Sequence, residues 1–302
     1  MKKIAILGCT SFLAQKYVAF FAPYSDYEFV LFGSKPTHET HAFYNYSLPD
    51  YPLDLAVLAS CDFVFYFSAA GVQANVTTAN SLLYSVNVYE PIAISQYLET
   101  IDFKGQFITF GSYFEMGYTT AQHYASVKEL IHADGQVPNH YCNSKRLLTR
   151  YIHGNIHRIN WLHFILPTIY GPGENKARLV PYLVDAIQNA TPIQVTSGSQ
   201  IRQYLHVDDV VHLLAKITQS TSNPNGIFNV STKEAFSIKH IIDTVFETLH
   251  FVPNAAVSLI QREDTMMSFL AIDATETSRV FNWNATLSLQ DGIKTYITDV
   301  TK

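Results

Sequence analysis

The stretch Ile4-Ala5-Ile6-Leu7-Gly8-Cys9-Thr10-Ser11-Phe12-Leu13-Ala14 decides how this chain is read. Four consecutive apolar residues run straight into a glycine, and an amphipathic stretch follows near 12–22. A continuous apolar run marks a strand buried on both faces, as in a parallel sheet covered by helices. Gly8 to Ala14 occupies the place of a G-x-x-G-x-x-G turn, with Ser11 and Ala14 replacing two glycines. Gly8 supplies the tight turn, Ser11 is small enough for backbone to approach a pyrophosphate, and Ala14 permits close packing of helix on strand. The helix N-terminus then faces the anion.

The same alternation continues outward. Strand-like runs occur at Glu28 to Phe32, Phe63 to Phe67, Gln106 to Phe110 and Trp161 to Leu166, with amphipathic stretches near 79–99 and 140–155. Strands separated by helices imply an α/β fold, a doubly wound parallel sheet. Beyond Pro167 the punctuation changes to Gly171-Pro172-Gly173, Pro181, Pro192 and Gly198, with helical patterns near 179–190 and 207–219. The expected organisation is a nucleotide-binding domain over 1–166 and a smaller, mainly substrate-binding region over 167–302. Segments near 201–232 are expected to return to the first domain.

Composition removes several classes of function. The 302 residues are 48% hydrophobic and 15% charged with a formal net charge of −5, and they contain no basic run of the kind a nucleic-acid surface needs. Cys9, Cys61 and Cys142 are far apart and odd in number, which gives neither a disulfide framework nor a metal motif. His153 and His157 are spaced i, i+4 but lack a neighbouring Glu or a third ligand, so they read as surface helix residues and no metal is expected. Lys2-Lys3 before Ile4 to Leu7 and Cys9 resembles a short lipoprotein leader, but the apolar run falls short of the ~7–15 residues such a signal needs. No segment approaches the ~18 apolar residues of a membrane span. The expectation is a cytoplasmic protein that binds neither membrane nor nucleic acid.

Two further places carry chemistry. At the end of the second strand, where an NAD-selective site places an acidic residue on the ribose, the chain reads Gly33-Ser34-Lys35. No carboxylate opposes a 2′-phosphate there and Ser34 with Lys35 can bind one, so NADP(H) is expected over NAD. Tyr141 and Lys145, with Ser144 between them, form Y-x-x-x-K, which places a phenol and an ammonium on one helix face. A cation held near the ring favours phenolate and lowers the Tyr pKa.

Ser112 after the fourth strand, Tyr141 to Lys145, Pro167-Thr168-Ile169-Tyr170-Gly171-Pro172-Gly173 and Gly198 through Asp209 together give a resemblance spanning nearly the whole chain. The sequence resembles the extended short-chain dehydrogenase/reductase family, specifically its nucleotide-sugar epimerases, dehydratases and reductases, with a Rossmann-type fold. The resemblance implies Tyr141 as general acid/base, Lys145 as its pKa modulator and ribose ligand, and Ser112 as hydrogen-bond partner of the reacting carbonyl. Dinucleotide contacts implied with these are Gly8, Thr10, Ser11, Phe12, Leu13, Ser34, Lys35, Ser68, Ala69, Ala70, Asn87, Pro167 and Thr168. Substrate contacts are expected from Ser112, Tyr113, Arg178 and Arg202, the last as diphosphate ligand in a G-x-x-x-R motif where Gln203 replaces the usual Asp. A homodimer through the helices near 79–99 and 140–155 is also implied.

Departures from the family narrow the reaction. Its dehydratases carry an Asp-Glu pair where this chain has Tyr113 and Phe114, with Glu115 one position off register. Members resembling fucose synthase use a Cys and a His where Phe114 and Arg178 stand. What remains is carbonyl reduction or the 4-epimerisation that the same Ser, Tyr and Lys can perform; the Gly33-Ser34-Lys35 end favours NADPH-dependent reduction of a nucleotide-linked 4-keto-6-deoxy sugar, which the resemblance links to bacterial surface polysaccharides. The alternatives are a 4-epimerase that retains NAD and a non-catalytic dinucleotide-sensing protein. Base and sugar identity are expected to be read by loops near 75–80, 113–125, 170–180 and 193–204.

Overall fold

The computed structural model describes residues 1–72, 77–254, 259–261 and 267–300. Its main sheet is built from β1 (Lys2–Leu7), β2 (Tyr27–Gly33), β3 (Ala42–Asn45), β4 (Phe63–Tyr66), β5 (Gln106–Ser112), β6 (Asn160–Leu166) and a late strand, Gly226–Asn229. Every pairing in it is parallel, and the order is Gly226–Asn229, β6, β5, β4, β1, β2, β3. The chain therefore winds outward from β1 in one direction and restarts at β4 in the other. That reversal opens a crevice at the carboxyl ends of β1 and β4, the place where open α/β sheets bind ligands.

Strand alternation explains the two-sided burial. Ile4, Ile6, Phe63, Phe65, Ile108 and Phe164 pack on one face against α1 (Phe12–Phe21) and the helix Val207–Gln219. Ala5, Leu7, Val64, Tyr66, Phe107 and Trp161 pack on the other, against the helices Glu90–Thr100 and His140–Gly154. Because successive side chains point to opposite faces, each apolar run feeds both cores at once. The stretch near 79–99 divides into α2 (Asn80–Tyr84), a π turn over Ser85–Tyr89 and α3 (Glu90–Thr100). The short helix α4 (Val127–His132) precedes α5 (His140–Gly154), which carries Tyr141 and Lys145.

A third core joins α6 (Leu179–Gln188), the helix Ile238–Thr248 and the C-terminal helix Leu289–Val300 through Leu183, Val184, Ile241, Val245 and Ile293. The helix α7 (Val207–Gln219) lies instead against α1 in the core of the main sheet. Asp209 ties the C-terminal segment to it, accepting from the Thr286 amide and hydroxyl, both at 2.9 Å, and from the Leu287 amide at 3.1 Å. Gln203, where the family motif has Asp, is fully buried; its amide donates to the Ile272 carbonyl and accepts from the Ile272 amide. A carboxylate accepts only, so it cannot make both bonds. His157 lies beyond the end of α5, not on it, and packs its ring 4.8 Å from Trp161. Among the described residues, no helix is long and apolar enough to cross a membrane and no cluster of His, Cys, Asp or Glu could hold a metal ion.

Candidate active site

A cleft of about 890 Å³ runs along the carboxyl ends of the central strands. Its dinucleotide end is shaped by Gly8, whose φ of +82° is a left-handed conformation. A Cβ there would meet the Ser68 amide nitrogen at 2.6 Å and its Cα at 2.8 Å, so only glycine lets the loops after β1 and β4 close on one another. Ser11 caps α1, accepting from the Ala14 amide at 3.3 Å. Thr10, Ser11, Phe12 and Leu13 line the cleft, so the first-turn amides, which a helix cannot satisfy internally, stand where an anion would bind. This cradle fits a dinucleotide pyrophosphate. Ser34, Ser68, Ala69, Ala70, Pro167 and Thr168 complete the wall.

Asn87 is placed differently from a ligand. It is buried, and its side chain accepts from the Ala70 amide at 2.9 Å while donating to the Ala70 carbonyl and to Ser144 Oγ, also at 2.9 Å. It fixes the cleft wall from behind and fastens it to the helix that carries Lys145. Lys35 is exposed and does not line the cleft, although its neighbour Ser34 does.

At the other end Ser112, Tyr141, Lys145 and Arg178 converge on the cleft. The Lys145 ammonium donates to the Phe110 carbonyl at 2.9 Å and lies 5.9 Å from the centre of the Tyr141 ring. The expected fall in the Tyr141 pKa does not appear. Burial pushes the phenol up to about 12, opposed by a hydrogen bond with Ser112 and by the Arg178 charge. Burial equally pushes Lys145 down to about 8. Burial outweighs the nearby cation, whose ammonium is engaged with the Phe110 carbonyl.

Two expected substrate residues lie off this cleft. Tyr113 is fully buried, its hydroxyl 2.7 Å from Thr168 Oγ1. Arg202 is also buried, its guanidinium donating to the carbonyls of Ile201 at 2.7 Å and Met267 at 2.6 Å. Phe114 faces the cleft, whereas Glu115 turns underneath and accepts from the Ser112 amide at 2.7 Å. Ser112-x-x-Glu115 forms a capping box, a spacing present in the sequence that would have revealed this turn. Glu174, a lining residue that sequence patterns missed, lies 3.9 Å from Arg178, and burial raises its pKa to about 7. Of the expected loops, residues 75 and 76 lie outside the described residues.

Fold and site define an extended short-chain dehydrogenase/reductase. The chain belongs to the NAD dependent epimerase/dehydratase family, whose profile matches residues 4–231. It is 23% identical over 149 residues to a CDP-abequose synthase of Salmonella typhimurium, covering 47% of this chain and 49% of that protein. A CDP-abequose synthase of Yersinia pseudotuberculosis is 23% identical over 163 residues, 52% of each chain. This chain thus spans about half the length of the relatives it matches. In fold it is similar to UDP-glucose 4-epimerase of Thermotoga maritima, solved with UDP-glucose, at a TM-score of 0.83 and 14% identity over 99% of this chain and 98% of that one. It is also similar to UDP-glucuronic acid 4-epimerase of Bacillus cereus, solved with UDP-glucuronic acid and NAD, at 0.81 and 18% identity over 99% of each.

Proposed function

We propose that the chain is a reductase of a nucleotide-linked 4-keto-6-deoxy sugar, using NADPH, in the synthesis of a surface polysaccharide. The observation that carries this reading is the orientation of Glu115. Its carboxylate lies beneath Ser112 and outside the cleft, so the segment after β5 offers the substrate no dehydratase acid or base. Tyr141 and Ser112 remain at that end of the cleft. The reduced dinucleotide, when bound, supplies a hydride to the C4 carbonyl carbon. Oxyanion charge then grows on the carbonyl oxygen; Ser112 stabilises it by hydrogen bonding, and Tyr141 delivers the proton that completes the alcohol. A phenol held at about 12 keeps its proton at neutral pH, the form a reductase needs. Gly8 to Leu13 would hold the pyrophosphate, and the region after residue 167 would supply most of the substrate contacts, among them Arg178, whose charge acts on Tyr141. The names of the relatives matched over about half their length, which describe synthesis of a CDP-linked sugar, support the substrate class.

The decisive experiment mixes the protein, NADPH and 4-keto sugar nucleotides and follows the absorbance of the reduced cofactor. Net consumption with a reduced sugar as product is expected. A 4-epimerase with retained NAD is the second reading, favoured by the NAD bound in a similar solved epimerase, and it would consume none.

The cofactor preference rests on the absence of a carboxylate within Gly33-Ser34-Lys35 at the end of β2 and on Ser34 and Lys35 at that edge. Lys35→Ala should weaken NADPH about tenfold and leave NADH unchanged, read by fluorescence titration. Equal loss for both dinucleotides would remove the 2′-phosphate reading.

A further inference from the structure

Beneath Ser112 lies a buried polar network to which the proposed reaction assigns no role. Trp161 Nε1 donates to Thr109 Oγ1 at 2.9 Å, Thr109 Oγ1 lies 2.8 Å from His163 Nδ1, and His163 Nε2 lies 3.0 Å from Thr149 Oγ1. All four residues are buried. Thr149 has one hydroxyl proton and gives it to the Glu115 carboxylate, so His163 must donate from Nε2 to Thr149, which leaves Nδ1 to accept from Thr109. Burial and the Lys145 charge push the imidazole down to about 3, so it is neutral in this role. The network ends at Glu115, whose carboxyl burial pushes up to about 7 while the Thr149 hydroxyl, the Ser112 amide and the Lys145 and Arg146 charges oppose that rise, so the carboxylate is charged above about pH 7, where Lys145 begins to lose its proton.

Glu115 is fully buried, and its Oε2 has no hydrogen-bond partner among the described residues. Room for it is made by Gly111, where a Cβ would stand 2.5 Å from Glu115 Oε1 and 2.7 Å from His163 Nε2. Arg146, adjacent to Lys145 on α5, clamps the same turn by donating to the carbonyls of Glu115 at 2.6 Å and Met116 at 2.9 Å. Around the Lys145 ammonium, α5 contributes Tyr141, β5 the Phe110 carbonyl, β6 His163, and the turn after β5 Glu115, while Cys142 and Arg146 of α5 face Glu115. Arg178 approaches Tyr141 from the start of α6. Glu115 is the carboxylate in this set.

We infer that Glu115 is a positioning residue, a buried counter-charge that fixes the Ser112 turn and keeps the Lys145 ammonium protonated. The inference rests on the reading of Tyr141 and Lys145 as the reacting end of the cleft. The sign follows from the geometry. Lys145 is charged below its pKa, already lowered to about 8, and the Glu115 charge opposes that fall. Removing the carboxylate charge lowers the Lys145 pKa further, so any property that needs the ammonium is lost at lower pH.

The test measures NADPH affinity by fluorescence across pH for the whole protein, with no sugar substrate present. In Glu115→Gln the alkaline loss of affinity should begin about one pH unit lower than in the parent, whereas Glu115→Asp should leave it in place. The reciprocal measurement follows the Glu115 carboxyl by carbon-13 NMR in Lys145→Met, where it should titrate at higher pH; this arm does not depend on Glu115→Gln folding. A uniform loss of affinity at every pH, or a Glu115 titration unmoved by Lys145→Met, overturns the proposal and leaves Glu115 as a turn cap. A shifted limb in a protein that consumes no NADPH with any 4-keto sugar nucleotide would overturn the proposed reaction and sustain the role of Glu115.

Discussion

Tyr141→Phe is expected to lower turnover by about 10²–10⁴-fold, the range that one positioned proton donor supplies, while NADPH binds as before. The substitution removes only the hydroxyl. The ring and its relation to the Lys145 ammonium stay, and the dinucleotide cradle from Gly8 to Leu13 is formed by other elements. Single-turnover kinetics with a 4-keto sugar nucleotide separates the chemical step from binding. Turnover within a few-fold of the parent would remove Tyr141 from the mechanism, and weakened NADPH binding with unchanged chemistry would make it a cofactor ligand.

Gly8→Ala is the second large effect, and it acts through backbone. A left-handed φ costs an L-residue roughly 1–2 kcal/mol, and the added Cβ falls inside van der Waals contact with the Ser68 backbone. The Ser68 hydroxyl can rotate away, but the Ser68 amide nitrogen and Cα are main chain and cannot. The loops after β1 and β4 must separate, which widens the pyrophosphate cradle. The expected results are a lower melting temperature and NADPH affinity reduced by about 100-fold or more, measured by thermal denaturation and titration. A variant that melts lower yet binds dinucleotide normally would show that the close approach serves folding alone.

The sequence made the central sheet legible because its strands are buried on both sides and therefore read as unbroken apolar runs. Two strands escaped that logic. Ala42–Asn45 is short, mostly exposed and at the sheet edge, and Gly226–Asn229 begins with a glycine at the other edge. Tyr141 and Lys145 were legible from spacing and Ser112 from the family resemblance, and all three line one cleft. The orientations of Tyr113 and Arg202 were not, since a motif fixes residue type and order but leaves open whether a side chain points to ligand or to neighbouring carbonyls. Burial also reversed the expected shift at Tyr141, a quantity that depends on the depth of the site and is invisible in a four-residue spacing.

The π turn at Ser85–Tyr89 sets a phase between two helices. One turn of this kind takes up about one residue more than an α-helical turn, which offsets everything beyond it by roughly 100° about the axis. Leu82 and Val86 can therefore look into the cleft while Ile94 and Leu98 settle on the sheet. Deleting a single residue from Ser85–Tyr89 would leave the sequences of α2 and α3 whole yet point one of these two sets the wrong way. A one-residue length difference at this place should accordingly be rarer among working variants than most point substitutions on the same helices.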